Sequence, residues 1–329
     1  MAENSQNEFT LREASELDFP GIADFLVRHT YSPIHPEWTR QEYVTWLRWK
    51  FLTNPDGPGR MFIIEDFDKA IVGIRGDIPR RFTSRKTGTF SIYQGVDLLV
   101  DAGLREKGLY SRLRRFAWSN LDLPKVSFPS KQVLEIICRH GFRVIAPGEK
   151  WGFPLPKGNE KSDTTSGLIV PLVDAASRFY AFLWLGRYPR NLRMEPVVRF
   201  EKDFTLDPGF IHGVRSAEYL NWRFIDNAIN KYSAYKFLDG DETIGYCVYA
   251  IVRGKAEIYD FIAEKRRRGC LRLLIEHYRR SGLAGLRFKG IGLKLRKFGF
   301  IRRRDRHTYY VAHEVPEGSW MMTTADRDY

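Results

Sequence analysis

The stretch VDLLVDAGLREKGLYSRL, residues 96–113, decides how this chain is read. Its opening residues are apolar and β-prone apart from Asp97, so a strand ends at Val100. A loop carrying Arg105, Glu106 and Lys107 follows, and Gly108 opens the helical pattern LYSRLRRFAW. Backbone N–H groups at a helix N-terminus, together with the helix dipole, form an anion site suited to a pyrophosphate. A glycine there lets the backbone approach phosphate oxygens closely, and the flanking Arg and Lys add charge. Taken alone, R-x-x-G fits equally a plain helix cap in a surface loop.

Working outward, FTLREAS (9–15) is a short alternating strand. Ser15 then caps a stretch with Leu17, Ile22, Phe25 and Leu26 at near-helical spacing. A second helical pattern runs from Thr39 to about Leu52 and stops at the turn-forming Asn54-Pro55-Asp56-Gly57-Pro58-Gly59. Three strands follow: MFIIED, AIVGIRGDIPRRF and FSIYQGVDLLV. Beyond the quoted stretch, KVSFP is a strand, SKQVLEIICRH a helix and FRVIAPGEKWGFPL a closing strand. Residues 1–155 thus read as a mixed α/β unit. The polar PKGNEKSDTTSG (156–167) is a linker. The apolar stretch 170–188 is a helix between units, within a connecting segment 156–196.

From about Val197 the order of elements recurs. WLRWKFLTNP (46–55) is echoed by YLNWRFIDNA (219–228), aligning Trp49 with Trp222, Lys50 with Arg223 and Phe51 with Phe224. Ile71-Val72-Gly73 matches Thr243-Ile244-Gly245. Further on, Asp97 matches Asp260, Gly108 at a helix start matches Gly269, and Gly141-Phe142 matches Gly299-Phe300. Matches in one consistent order argue for duplication, with 197–329 as the second unit.

A strand–loop–helix, then strand, helix ending in Gly-Phe, and strand resembles the GNAT superfamily of acyl-CoA-dependent N-acyltransferases. Their phosphate-binding signature is R/Q-x-x-G-x-G/A after a V-x-P strand end. Here Val100 stands at the valine, Ala102 at the proline, Arg105 and Gly108 at the signature positions, and Tyr110 where Gly or Ala is usual. The closing SWMMTTADRDY (319–329) is similar to the W-x-x-T…D-x-D tail of paired acyltransferases from bacterial polysaccharide and natural-product loci. The resemblance implies an α/β fold (an α+β mixed sheet) of two tandem GNAT-like domains, with acetyl-CoA or another acyl-CoA as co-substrate. The shorter R-x-x-G loop at Arg266–Gly269 marks the second domain as degenerate.

The resemblance further implies that Leu98, Leu99 and Val100 offer main-chain groups to the pantetheine arm, and that Arg105, Glu106, Lys107, Gly108, Leu109 and Tyr110 surround the pyrophosphate. Amine attack on a thioester needs a route for the ammonium proton and sometimes an acid for the leaving thiolate. Many members take that acid from a tyrosine four residues before the Gly of Gly-Phe; this chain has Ile137 there, and Ser130 where many place Asn. The substitutes are Asp97 and Tyr93 on the central strand, with Cys138 and His140 near the helix end. Each has a structural alternative. Asp97 fits a buried hydrogen-bonded carboxylate, Tyr93 a packing residue, Cys138 a small core residue, and His140 a helix C-terminal residue favoured by the dipole. The repeated W-(K/R)-F motif reads as packing of a helix over the sheet.

The 329 residues carry 53 Lys/Arg against 40 Asp/Glu, a net charge of +13. Between Arg253 and Arg306 there are 18 basic and 5 acidic residues, so that stretch holds the whole excess. A local basic field attracts a polyanion or an acidic carrier protein, although a solvated helix face explains it too. The three cysteines form no C-x-x-C pair, and the seven histidines no H-x-x-x-H pair, so neither disulfides nor a metal are expected. The polar MAENSQNEF start and the short apolar runs predict a cytoplasmic chain with no membrane span. The expected activity is acyl-CoA-dependent N-acyl transfer to an amino group of a small metabolite, sugar or amino acid. The alternative is a non-catalytic GNAT-fold protein whose basic C-terminal surface binds nucleic acid or an anionic glycan.

Overall fold

The computed structural model describes residues 8–29, 37–154, 169–227, 229–252, 254–281, 283 and 285–327. The linker 156–167 lies outside the described residues.

Strand β1 (Thr10–Glu13) leads through a short turn into α1 (Phe19–Arg28), followed by α2 (Arg40–Leu52). The Ser15 N–H donates to Asp18 at 2.7 Å, so this cap closes the turn before α1, not the helix itself. Thr39 and Glu42 cap α2 reciprocally, the Glu42 N–H donating to the Thr39 hydroxyl and the Thr39 N–H to the Glu42 carboxylate at 2.7 Å. Tyr43, Trp46, Leu47, Lys50 and Phe51 then fall on one helical face and are buried.

An antiparallel meander of β2 (Arg60–Glu65), β3 (Ile71–Ser84) and β4 (Gly88–Val100) follows. After it come α3 (Leu109–Ser119), β5 (Lys125–Ser127, parallel to β4), α4 (Lys131–Cys138) and β6 (Arg143–Phe153). The rest of the chain supplies α5 (Ile169–Leu185), β7 (Leu192–Pro196), β8 (His212–Gly213) and α6 (Ala217–Leu220). It continues with β9 (Ser233–Asp239), β10 (Glu242–Val252), β11 (Lys255–Ala263) and α7 (Arg267–Arg280). Strands β12 (Leu286–Ile291), β13 (Ile301–His313) and β14 (Met322–Thr323) close it. The fold class is mixed α/β, as expected.

All strands join one mixed sheet in the order β1-β2-β3-β4-β5-β13-β6-β12-β11-β10-β9-β7, with β14 beside β12 and β8 beside β3. The order interleaves the two halves of the chain. Val311 of β13 pairs with Ser127 of β5 on one side and Val144 of β6 on the other. Trp151 of β6 pairs with Arg302 of β13 and Phe288 of β12.

On one face of the sheet the halves also meet through Trp49 and Trp222. Their rings stack at 4.8 Å and 17°, and each indole N–H donates to the other residue's carbonyl, at 3.0 and 3.1 Å. The repeated motif therefore packs one half on the other, where the sequence suggested a helix packed over the sheet. Both tryptophans belong to a single apolar core shared by α1, α2, α6 and both parts of the sheet.

Two details differ from expectation. Gly269 is the third residue of α7, and Arg266 (φ 49°) occupies the cap position that Gly108 holds before α3. A Cβ on Gly269 would stand 2.7 Å from Leu192 Cδ1, so that glycine serves close packing of α7 on β7. Helix α5 buries Ala181 and Leu185 in a cluster with Trp151, Phe153, Leu271 and Leu274.

Because the tryptophan pair joins the halves, Trp49→Ala and Trp222→Ala should each destabilise the chain by about 3–5 kcal/mol. The double variant should fall short of the sum by about 1–3 kcal/mol, since the two share one interaction. Urea titration of the four-member cycle measures both; strict additivity would remove the coupling.

Candidate active site

Strands β4 and β5 run parallel but pair only at Tyr93–Lys125 and Gln94–Val126. Beyond Gln94 they part, since β5 ends at Ser127 while β4 continues to Val100. The split opens a cleft of about 220 Å³. Gly95, Val96, Asp97 and Leu98 form one wall, Ser127 to Pro129 the other, and Tyr110 and Trp118 of α3 face Val133 and Ile137 of α4. Main-chain groups of β4 on this side lie open to a ligand, because no described strand takes up the β5 side beyond Gln94.

The cleft runs toward the start of α3. Gly108 caps that helix with φ 69°, a conformation costly to any residue with a Cβ. A Cβ there would meet nothing within 4 Å, so the helix N-terminus faces open space. The preceding turn, Ala102–Lys107, carries Arg105, Glu106 and Lys107, while Leu109 and Tyr110 begin α3. Glu106 is exposed and Leu109 buried, while Lys107 donates to Glu8 at 2.9 Å and lies 5.1 Å from the Phe9 ring. Of Arg105 only the backbone is described. Val100 is buried and pairs with Gly73, and Leu99 pairs with Ile74.

Asp97 stands at a register shift between β3 and β4 with φ 49°. Its carboxylate accepts from Lys50 Nζ at 2.6 Å, with both side chains at most 2% exposed. Lys50 also lies 4.3 Å from the centre of the Trp46 ring. The lysine of the W-(K/R)-F motif thus neutralises the central-strand aspartate, on the side of the sheet facing α2. Tyr93 does not line the cleft. It packs in the cluster beneath α3, where burial pushes its hydroxyl up from the ordinary tyrosine value, against the opposing charge of Arg60. Cys138 ends α4, half-buried. His140 meets Trp118 edge-on at 5.7 Å, and burial together with Arg114 lowers its pKa.

The structure adds residues that the sequence reading passed over. Arg75 and Asp77 of β3 form a buried side-on pair, Nε to Oδ2 at 2.7 Å and Nη2 to Oδ1 at 2.6 Å. Arg75 lines the cleft, as does Lys125, which donates to the carbonyls of Leu121 and Leu123. Tyr110 projects into the same cleft; burial raises its pKa, with Arg114 and Arg75 opposing. Ile137 makes the α4 wall apolar.

The corresponding split between β11 and β12 is nearly closed, about 10 Å³ among Arg267, Phe288, Leu293 and Leu295. Arg267 donates to the Leu293 carbonyl at 3.2 Å and so spans the opening. Nearby, Asp260 accepts from Arg215 at 2.6 Å, Tyr246 at 2.7 Å and Thr323 at 2.9 Å. Arg215 also grips Asp326 with two bonds of 2.7 Å. Burial pushes the Asp326 carboxyl up, but Arg215 outweighs it and holds it below the usual carboxylate range. Thr323 and Asp326 of the tail therefore lock the C-terminus onto the sheet; Asp328 lies outside the described residues.

Much of the basic stretch is locally balanced. Lys265 pairs with Glu242, Arg266 with Asp239, Lys289 with Glu257 and Arg302 with Glu149. No group of three or more His, Cys, Asp or Glu among the described residues is placed to hold a metal ion. No described helix is long and apolar enough to cross a membrane.

The fold is similar to that of solved structures of GCN5-related N-acetyltransferases. One such protein from Anabaena variabilis aligns over 92% of this chain and 72% of its own, with TM-score 0.60 and 12% identity. Another from Kribbella flavida aligns over 94% and 72%, with TM-score 0.56 and 12% identity. A conserved protein of unknown function from Enterococcus faecalis aligns over 92% and 71%, with TM-score 0.58 and 10% identity. No protein-family model and no curated protein matches the sequence.

Lys50→Met removes the cation bonded to the buried Asp97 carboxylate and should cost about 3–5 kcal/mol of stability. Adding Asp97→Asn removes that charge and should restore a large part of the loss. Denaturant titration of both variants checks this, and no recovery in the double variant would show that the pair is not the source of the penalty.

Proposed function

We propose that the protein is an acyl-CoA-dependent N-acyltransferase whose first half binds the donor in the β4/β5 cleft. The observation that carries this reading is the split itself, opening toward a glycine-capped helix N-terminus. Unpaired strand edge, cleft and orphan N–H groups together fit a thioester carried on a long arm that ends in a pyrophosphate. When bound, the donor supplies an activated acyl group. The protein's share is to hold it and to move protons. Gly95 to Val100 offer main-chain groups along the arm, and the first N–H groups of α3 face the phosphates.

For the leaving thiolate we assign Tyr110. It projects from α3 into the cleft, opposite the apolar wall where Ile137 replaces the usual tyrosine. Burial keeps its proton on through neutral pH, as a general acid requires. Asp97, bound to Lys50, acts here as a positioning residue that fixes the β4 distortion at the split. The two halves are read as copies of one unit, of which the second, sealed by Arg267, has lost donor binding and now completes the acceptor side. The acceptor is the amino group of a small molecule.

Calorimetry with acetyl-CoA should show binding to the wild type. Gly108→Val should weaken it by about 1–3 kcal/mol, while Gly108→Asn, which tolerates the same backbone, should weaken it less. Absence of wild-type binding near millimolar acetyl-CoA would defeat the proposal. Tyr110→Phe should leave acetyl-CoA affinity unchanged and lower kcat by about 100-fold. The wild-type profile should show no alkaline loss from this group below the ordinary tyrosine value of about 10. An unchanged kcat in Tyr110→Phe would transfer the acid role elsewhere.

A further inference from the structure

A second cavity lies on the other face of β4, enclosed by α2, β3, the α6 turn and the C-terminal tail. Gln94 lines it, and the next residue, Gly95, begins the wall of the donor cleft. The two cavities therefore meet β4 from opposite faces where β4 and β5 part. The lining includes four cations, Lys50, Arg80, Arg223 and Arg327, and no carboxylate.

The neighbouring carboxylates are already committed. Asp97 is held by Lys50 at 2.6 Å, Asp56 by Arg81 at 2.6 Å, and Asp326 by two bonds of 2.7 Å from Arg215. Arg80 lies 3.8 Å from Asp56 and 3.8 Å from Asp326, too far to bond either. It is 2% exposed, and its Nε and Nη2 have no hydrogen-bond acceptor. Its guanidinium stacks over the Tyr219 ring at 3.7 Å, which fixes the plane of the fork.

Nε and Nη2 are the side-on pair of a guanidinium. In this same molecule Arg75 grips Asp77 with that pair at 2.7 and 2.6 Å, and Arg60 grips Glu13 with it at 2.7 and 2.5 Å. Arg80 presents the same two donors, buried and unanswered. A buried guanidinium with unmet donors is costly, and a carboxylate is the planar anion that meets both. The enclosed volume, about 10 Å³, is room for one oxygen-sized group, so a carboxylate that reaches both donors requires the lining to widen. Among the cations of the lining Arg327 alone is not fully buried, so the body of a ligand leaves past it.

We propose that Arg80 anchors a carboxylate of the amine acceptor, so that the substrate class is an amino acid or amino sugar acid. This rests on the acyltransferase reading for its biological sense, but carboxylate binding at Arg80 is testable without turnover. The first measurement is thermal stabilisation by succinate and by 4-aminobutyrate, against chloride at matched ionic strength, in wild type, Arg80→Met and Arg80→Lys. Stabilisation of the wild type by a carboxylate, lost in Arg80→Met, supports the site. Equal response to chloride, or equal response in wild type and Arg80→Met, overturns it.

The second measurement is thiol release from acetyl-CoA with acceptors paired by one group: 4-aminobutyrate and propylamine, glucosaminuronate and glucosamine, phosphoethanolamine and ethanolamine. A carboxylate acceptor should exceed its partner in kcat/KM by about 10-fold or more, and Arg80→Lys should shrink that ratio with acetyl-CoA affinity intact. A preference for the phosphate member, or for the uncharged partners, overturns the carboxylate assignment while leaving the acyltransferase standing. No acetyl-CoA binding and no thiol release with any amine would strike the acyltransferase reading instead, and the stabilisation data would then decide Arg80 alone. If either variant fails to fold, the wild-type comparisons still decide.

Discussion

The placement of β13 between β5 and β6 is the constraint on which the rest depends. Strand β5 has only three residues and pairs with β4 at two positions, too little to hold an edge by itself. Its other side is fixed by Ala312 and its neighbours, which come from nearly two hundred residues later in the chain. The far wall of the β4/β5 cleft is thus built on the C-terminal strand. Val311 packs with Ile137 and Phe142, so the same strand also seats α4. Contacts of such sequence separation carry a large loop-closure cost, which their burial has to offset.

The strand–loop–helix at 96–113 was legible because three independent signals coincide there: an apolar run, a turn and a helical period. The W-(K/R)-F echo was legible too, but its purpose was not. Tryptophan spacing marks burial and cannot tell a sheet partner from a second tryptophan 173 residues away. Asp97 was visible as an oddity in a strand. What resolves it is Lys50, whose own number gives no hint of the contact. Likewise Thr323 and Asp326 stood out in the tail, while Arg215, which explains them, belongs to no pattern.

Strand β3 was the least readable element. The sequence marks IRGDIPRR as part of a strand, and its charges give no sign that they are buried. Both faces are in fact covered, by α2 and the α6 turn on one side and α3 on the other. Arg75, Asp77 and Arg80 are consequently all buried. Period-2 patterning reports which residues share a face, and it is silent on whether that face meets water or protein. The residues that shape both cavities were hidden for this reason.

Net charge, too, is redistributed by folding. The stretch 253–306 holds the full excess of the chain, yet Lys265, Arg266, Lys289 and Arg302 are met by carboxylates brought in from other strands. Exposed pairs of this kind are individually weak. Around Arg80 the reverse holds. Its strand β3 carries Arg75, Arg80 and Arg81 against Asp77, and folding assigns Asp77 to Arg75, Asp56 to Arg81 and Asp326 to Arg215, leaving the Arg80 fork without a hydrogen-bond acceptor. Arg80 has Asp56 and Asp326 at 3.8 Å as counter-charges, but its buried Nε and Nη2 have no hydrogen-bond acceptor, and buried donors left unmet are costly.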